Sequence, residues 1–247
     1  MCIDEVRFDA AKEKIIGKNR EHIGIGTLSE KTMHAVLKHY YAPDEDMHEI
    51  PIEGYVADIY TGTEIIEIQT RAMNRMRKKL EAFLPLYPVT IVYPIPRQKW
   101  LFWIDEKTGE ISQKRKSPKK GNVYQAFIEL YKIRPYLAHP NLRLRLDLID
   151  MEEYRLLNGW SRDKKKGSER YDRIPTAFAE EICIDTIRDY MQMIPYELPE
   201  QFTVKEFAKC AKIPAQLAGT ILLIFTDLKL VTRVGKSGNS YIYEVNE

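Results

Sequence analysis

The segment YVADIYTGTEIIEIQT, residues 55–70, constrains the fold more than any other part of the chain. It is typical of two short β-strands joined by a Thr-Gly turn. Such strands usually bury apolar side chains, but here Asp58, Glu67 and Gln69 stand inside the most apolar stretches. An unpaired buried carboxylate is costly. The hairpin therefore predicts a site where these side chains share a ligand.

The register of this hairpin decides whether its carboxylates meet. With a two-residue Thr-Gly turn, Asp58 pairs with Ile65 and Val56 pairs with Glu67. Asp58 and Glu67 are then diagonal neighbours on one face, about 7–8 Å apart between their Cα atoms. Two carboxylates at that separation can bind one cation. A loop one residue longer or shorter would turn Asp58 to the opposite face.

A third carboxylate precedes the hairpin. The periodicity predicts a helix over 28–41, with Glu30 on the same stripe as Met33 and Leu37. If this helix packs on the sheet, Glu30 reaches the region of the two strand carboxylates. A set of carboxylates, a main-chain carbonyl and water suits Mg²⁺ or Mn²⁺ and not zinc. His34 is interpreted either as a further ligand or as a structural histidine.

The remaining patterns predict an α/β chain. Residues 1–26 indicate a flexible lead-in, and residues 71–87 a helix with Arg71, Arg75, Lys78 and Lys79 mostly outward. Periodicity and turn residues predict the elements of the later segments. They are a strand at 88–95, a hairpin at 99–117, a helix at 123–137, a strand at 142–157, a basic loop at 159–175 and a helix at 176–194.

The motif residues resemble a known family. Glu30 in the first helix, VADI with Asp58, and EIIEIQ with Glu67 and Gln69 are similar to the PD-(D/E)xK nuclease superfamily. That superfamily includes restriction endonucleases, Holliday-junction resolvases and repair nucleases. The resemblance covers about residues 27–150. It implies a restriction-endonuclease-like mixed sheet flanked by helices.

The resemblance also implies roles for these residues. Asp58, Glu67 and the carbonyl of Ile68 would hold Mg²⁺ (or Mn²⁺), and Glu30 would act directly or through water. The implied reaction is metal-dependent hydrolysis of DNA phosphodiester bonds, as by an endonuclease, leaving a 5′-phosphate. Gln69 stands where the family usually has lysine. Glutamine orients water but carries no charge, so a cation would have to come from Arg71 or Arg75.

The middle of the chain is basic. Residues 97–173 hold 19 Lys and Arg against 11 Asp and Glu, a net +8 in a chain whose net charge is +2. This distribution indicates a polyanionic partner, or lysines that merely keep loops hydrated. Trp100, Trp103 and Trp160 are candidates for base stacking or for the core. The candidate nucleic-acid contacts are Lys114, Arg115, Lys116, Lys119, Lys120, Arg162, Lys164, Lys165 and Lys166.

The C-terminal residues follow a separate pattern. After Pro195 and Pro199, a helix with a Thr203–Glu206 capping box precedes a second helix and a hairpin. This order resembles a winged helix-turn-helix, with Arg233 and Lys236 near the wing. The second helix carries no arginine for reading guanine. We therefore predict a nuclease-like domain at 1–194 and a winged helix at 195–247.

Several alternatives remain open from sequence. The chain is a DNA nuclease, a catalytically inactive nuclease fold that binds DNA or regulates, or a nuclease directed at RNA. Three cysteines without a C-x-x-C pair indicate neither a zinc site nor a disulfide framework. A charged N-terminus and a longest apolar run of ILLIF predict a cytoplasmic protein without a membrane span. A homodimer would suit cleavage of both DNA strands.

Overall fold

A central sheet and its helices were traced in a computed structural model that describes residues 3–20, 32–160 and 166–246. The helices are α1 (Glu5–Arg20), α2 (Thr32–Tyr41), α3 (Arg77–Phe83), α4 (Phe127–Leu130), α5 (Val204–Cys210) and α6 (Ala215–Asp227). The strands are β1 (His48–Ile52), β2 (Tyr55–Tyr60), β3 (Ile65–Ile68), β4 (Val89–Asp105), β5 (Arg115–Lys116), β6 (Leu142–Trp160), β7 (Lys166–Ile184), β8 (Gln201–Thr203), β9 (Val231–Ser237) and β10 (Ser240–Val245). Short 3₁₀ turns occupy Glu45–Met47, Met73–Met76, Val123–Ala126, Tyr131–Tyr136 and Ile187–Met193.

The main sheet is mixed and has the order β1-β2-β3-β4-β6-β7, with β5 paired to β4. β3 and β6 both run parallel to β4, whereas the other pairs are antiparallel. Parallel neighbours need a crossover connection, and α3 and α4 lie in the two crossovers. The predicted mixed α/β sheet flanked by helices is confirmed.

Apolar side chains alternate between two layers along the central strands. Ile66 and Val92 pack in a cluster with Phe8 of α1 and Leu37 of α2. Their neighbours in β3 and β4, such as Ile65, belong to a second cluster that includes side chains of α3, α4 and α6. This alternation follows from the two-residue period of a strand. The sheet is thus covered by helices on both faces.

The C-terminal elements share the second of these clusters. β8, β10 and β9 form a three-stranded sheet beside α5 and α6, and the Thr203–Glu206 capping box is confirmed. Phe225 of α6 packs edge-on against Phe127, with ring centroids 5.5 Å apart. Asp227 pairs with Arg134 at 2.7 Å. One side of the second C-terminal helix is therefore buried against the rest of the chain.

In the described residues, no single helix is long and apolar enough to cross a membrane. α5 and α6 meet the criteria only as a pair, and that pair is bent by 108° at its break.

Two predictions about local structure were wrong at the edge strand. Residues 166–184 form β7, although they were predicted as a basic loop followed by a helix. β7 pairs with β6 over almost its whole length, and Glu153 lies opposite Arg173 in that ladder. Cross-strand charge pairing and the open edge of β6 override the local propensity. The predicted helix survives only as the 3₁₀ turn at Ile187–Met193.

The predicted helix at 71–87 is shortened to the 3₁₀ turn Met73–Met76 and the seven-residue α3, and two other segments also differ from prediction. The predicted flexible lead-in contains α1, which is held because Phe8 packs against Tyr40 and Phe178. The predicted helix at 123–137 is instead 3₁₀ turns around the four-residue α4. Pro135 cannot donate an amide hydrogen bond, and Ile133 has non-helical dihedral angles. The continuous α-helix is therefore broken.

Gly121 closes the loop that follows β5 against β4. Its amide donates to the carbonyls of Pro96 and Arg97 at 3.1 and 3.0 Å. A Cβ at this position would lie 2.2 Å from the Pro96 carbonyl oxygen. We expect Gly121→Ala to lower the unfolding free energy by about 1–3 kcal/mol, as for other overpacked sites, measured by urea denaturation.

The matched control for this prediction is Gly219→Ala inside α6. A Cβ there meets no atom within 4 Å. Because alanine favours a helix more than glycine does, this variant should gain up to about 1 kcal/mol. Equal stability of the two variants would contradict the close approach at Gly121.

Candidate active site

The hairpin loop has four residues and not two. Ile59 pairs with Ile66 and Tyr60 with Ile65, and the Thr61 hydroxyl accepts from the Glu64 amide at 3.1 Å. A two-residue turn of type I′ needs a positive φ at both central residues. In this loop only Gly62 has one. The predicted register was therefore wrong.

The corrected register brings the two carboxylates closer together. Continuing the β2–β3 ladder by one residue sets Asp58 directly opposite Glu67, where the prediction made them diagonal neighbours. The paired residues of the ladder end at Ile59 and Ile66, and beyond them the Ile68 amide donates to the Asp58 carboxylate at 2.8 Å. The predicted convergence of Asp58 and Glu67 is retained, although it arises from a different pairing.

The pair opens into a cleft of about 590 Å³, which we call the carboxylate cleft. α2, β2, β3, the loop 69–72 and α3 all contribute to its walls. The polar side chains that line the cleft include His34, Asp58, Glu67, Gln69, Arg71, Arg75 and Lys79.

Asp58 is held as an anion. His34 of α2 lies 3.2 Å from its Oδ2 atom, and a carboxylate can only accept, so the imidazole donates. Burial alone would raise the pKa of Asp58. The hydrogen bond and charge of His34, together with the Ile68 amide, outweigh burial and lower that pKa below its ordinary value.

Glu67 is almost inaccessible, with 2% of its surface exposed. Lys79 of α3 donates to both of its oxygens, at 2.9 and 2.8 Å, and also to the Val56 carbonyl at 2.7 Å. Burial and the neighbouring charge of Asp58 raise the pKa of Glu67 to about 7, against the opposing effect of Lys79. His34 of α2 and Lys79 of α3 thus reach the carboxylate pair from helices on opposite faces of the sheet.

Lys79 is the side chain of the candidate site that the sequence pattern missed. It was predicted to point mostly outward, but its side chain is only 23% exposed and its ammonium group contacts Glu67. One signal was present in the sequence. Lys79 follows Met76 by three residues, and residues three apart lie on neighbouring positions of a helix surface. It therefore borders the buried stripe of α3.

Gln69 lines the cleft, but its amide nitrogen is used by the loop. It donates to the Arg71 carbonyl at 2.6 Å and lies 3.4 Å from the Ala72 carbonyl. Ala72 adopts a left-handed backbone conformation with φ of 57°, so the loop benefits from this anchor. Gln69 supports the loop between β3 and α3.

The oxygen donors that a divalent ion needs are partly assembled. Asp58, Glu67 and Ile68 all line the cleft, and their carboxylate and carbonyl oxygens suit Mg²⁺ or Mn²⁺. In the described part of the chain, no three His, Cys, Asp or Glu side chains form a metal-binding group. Glu30, the predicted third carboxylate, lies outside the described residues. The ammonium of Lys79 occupies both oxygens of Glu67.

The predicted basic contacts fall in three places. Arg162, Lys164 and Lys165 lie outside the described residues, and Lys166 begins β7. The basic residues around β5 are exposed, and one of them, Lys114, also pairs with Glu152 at 2.8 Å. This group comprises Lys114, Arg115, Lys116, Lys119 and Lys120.

The two basic residues of the C-terminal hairpin lie on an aromatic surface. Arg233 and Lys236 are exposed on β9. Their charged groups lie 4.4 and 4.7 Å from the centroid of the Tyr241 ring. The hairpin therefore presents cations that are held by stacking on tyrosine.

Comparison with known proteins gives a family and one relative. Residues 31–185 match the model of the family described as Domain of unknown function (DUF8091). An uncharacterized protein of Treponema pallidum (strain Nichols) is 31% identical over 150 residues. That alignment covers 60% of this chain and 57% of the relative, so the chain spans less than two thirds of the relative's length. No solved structure matches. Since the family model covers more than half of the 247 residues, the chain belongs to the DUF8091 family.

Proposed function

We propose that this chain is a metal-dependent nuclease that hydrolyses phosphodiester bonds in DNA, of the PD-(D/E)xK type. The observation that carries the proposal is that Asp58 and Glu67 lie beside one another at the end of the β2–β3 ladder, inside a cleft of about 590 Å³. Lys79 lies against that pair, 2.8 Å from Glu67. Two carboxylates and a cation are the groups that metal-assisted phosphodiester hydrolysis requires.

Asp58, Glu67 and the Ile68 carbonyl would hold the Mg²⁺ or Mn²⁺ ion. When bound, the ion would supply a Lewis acid that polarises a phosphate oxygen and lowers the pKa of the attacking water. Asp58 is suited to this role because His34 and the Ile68 amide fix its carboxylate. Glu67 is fixed by Lys79 and is closed to bulk water.

Lys79 would take the role that Gln69 cannot perform. Its ammonium carries the positive charge that stabilises charge developing on the phosphate in the transition state. Arg71 and Arg75 line the same cleft and would bind neighbouring phosphates, because guanidinium groups match phosphate geometry. The glutamine would hold the loop that carries Arg71.

The C-terminal residues 195–247 are proposed to form a winged helix-turn-helix beside a nuclease domain at 1–194. The order of β8, α5, α6 and the β9–β10 hairpin supports this assignment, as does the bend of 108° between the helices, since helix-turn-helix pairs cross at roughly 90–120°. One side of α6 is buried and the helix carries no arginine. The DNA contacts of this domain would therefore come from Arg233 and Lys236 of the hairpin. A cytoplasmic location and a homodimer complete the proposal.

The experiment is cleavage of supercoiled plasmid and labelled single strands with Mg²⁺ or Mn²⁺. The wild type should nick or cut in metal and not in EDTA, and Asp58→Asn should lose at least about 100-fold in rate. Asp9→Asn is the matched control, because Asp9 is a surface residue of α1 with 70% of its side chain exposed. Equal cleavage by Asp58→Asn and Asp9→Asn would refute this site.

A second candidate is a DNA-binding or regulatory protein with an inactive nuclease fold. The position of Gln69 favours it, because the amide donates to main-chain carbonyls and not into the cleft. Salt-sensitive DNA binding without cleavage in either metal would support this candidate. Cleavage of labelled RNA but not of DNA would instead indicate the RNA-directed nuclease.

A further inference from the structure

β4, β6 and β7 continue beyond the end of β3 and form a three-stranded ribbon. β3 ends at Ile68, which pairs with Val92 of β4, but β4 runs on to Asp105 beside β6 and β7. β3, β4 and β6 are parallel, so their carboxyl ends point in one direction. The carboxylate cleft lies at that end of β3. The ribbon therefore projects from the edge of the sheet that carries the proposed active site.

One buried carboxylate organises four cations on this ribbon. Glu153 of β6 has no exposed surface. Arg155 donates to its Oε1 at 2.8 and 2.5 Å. Its Oε2 lies 3.2 Å from Arg173, 3.5 Å from Lys99 and 3.6 Å from Arg170. We call these five residues the Glu153 cluster.

The Glu153 cluster has more positive than negative charge. Burial would raise the pKa of Glu153, but the charges of Arg173 and Lys99 outweigh it and bring that pKa to about 2. Burial and repulsion by Arg173 lower the pKa of Arg170. Within the described residues, Glu153 is the one carboxylate ion-paired with these cations. One anion against four cations leaves a net charge of about +3.

The cations are held in place and are still accessible. The side chains of Arg155 and Arg170 are 32% and 37% exposed, and that of Arg173 is 16% exposed. Side chains already fixed by Glu153 lose little entropy when they bind an anion. Trp103 lies opposite Arg155 in the β4–β6 ladder and is half-buried. The surface therefore combines fixed guanidinium groups with an aromatic ring.

The cluster is also near the carboxylate cleft. Arg71 lines the cleft, and its positive charge contributes to the lowered pKa of Arg170. On the other edge of β4, Arg115 and Lys116 pair with Leu101 and Trp100. Positive charge thus extends from the cleft along the ribbon.

We propose that the Glu153 cluster is an anchoring site for the phosphodiester backbone of DNA, which would pass along the ribbon into the carboxylate cleft. This inference rests on the proposed function for its choice of DNA. The excess charge, the partly exposed guanidinium groups and the approach to Arg71 are what a phosphate backbone requires. Glu153 would orient the cations and would not touch the DNA.

The test is binding of a short fluorescent DNA duplex in EDTA, followed by anisotropy over a range of salt concentrations. Arg170→Gln/Arg173→Gln leaves Lys99 and Arg155 on Glu153, so the buried carboxylate keeps two cationic partners. We expect its Kd to rise on the order of 10- to 100-fold. The plot of log association constant against log salt concentration should become less steep by about 2, since two phosphate contacts are lost.

Two control variants sharpen this test. Lys14→Gln/Arg188→Gln removes the same charge from partly exposed α1 and from an exposed 3₁₀ turn, and should keep the wild-type slope. Arg170→Lys/Arg173→Lys keeps the charge and should recover most of that slope. Intrinsic fluorescence gives a second readout, because Trp100, Trp103 and Trp160 all lie in β4 and β6.

The outcomes separate this inference from the proposed function. DNA binding that weakens in the Arg170→Gln/Arg173→Gln variant supports the anchor, whether or not the protein cleaves DNA. Cleavage by a wild type whose DNA binding is unchanged in that variant overturns the anchor and leaves the nuclease intact. Binding to anionic phospholipid vesicles in place of DNA, weakened in the same variant, would also overturn it.

Discussion

Glu153→Gln is expected to lower the free energy of unfolding by about 3–5 kcal/mol, as when one partner of a buried ion pair is removed. The carboxylate is fully buried and holds Lys99, Arg155, Arg170 and Arg173. Without it, four cations repel one another between β4, β6 and β7. Urea denaturation at neutral pH measures the loss.

The matched control is Glu152→Gln, one residue earlier on β6. Glu152 pairs with Lys114, whose side chain is 51% exposed, and such surface pairs contribute about 0–1 kcal/mol. If both variants lose the same stability, Glu153 does not organise the ribbon.

Acid should remove the same contribution from the wild type. Folding lowers the pKa of Glu153 from its ordinary 4.5 to about 2, so the folded state binds this proton less readily than the unfolded state. The resulting stability, about 3 kcal/mol, is fully present above pH 4.5 and is lost as pH falls through 2. The stability difference between wild type and Glu153→Gln should therefore shrink over this window. A constant difference would contradict the lowered pKa.

Lys79→Met is expected to lower the single-turnover cleavage rate by about 100- to 1,000-fold, the usual effect of removing one electrostatic stabiliser of a transition state. The reason is that Lys79 supplies the cation beside Glu67, and Gln69 carries no charge. Lys79→Arg keeps the positive charge on a guanidinium group of different shape and should lose less activity.

Metal affinity distinguishes this role from a structural one. The ammonium of Lys79 occupies both oxygens of Glu67, so it competes with a divalent ion for that carboxylate. We expect Lys79→Met to bind Mn²⁺ at least as tightly as the wild type, measured by calorimetry, while cleavage is lost. Loss of Mn²⁺ binding together with cleavage would show that Lys79 merely holds the site together.

Some of the candidate site was predictable because it depends on neighbours in the chain. The alternation in VADIY and EIIEI placed Asp58 and Glu67 on adjoining strands, and both lie in the cleft. The capping box at Thr203 is equally local. The hairpin register was missed because the Thr61 hydroxyl closes a longer loop. The basic segment 166–175 was missed as a strand because its charges do not follow an apolar alternation, and in the structure they pair across the ladder with Glu153 of β6.

The sequence by itself determined that this is an α/β chain with two carboxylates on one hairpin and a basic middle. Those features are local, since strand and helix periods and charge are read from residues next to one another. Tertiary structure alone decided that Lys79 turns toward Glu67, that Gln69 anchors a loop, and that four cations share Glu153. The two ion-pair sites depend on which elements pack together, because a buried charge finds its partner only when the fold has brought the two into contact. The Gln69 anchor depends on the path of the loop, since its acceptors are the carbonyls of Arg71 and Ala72.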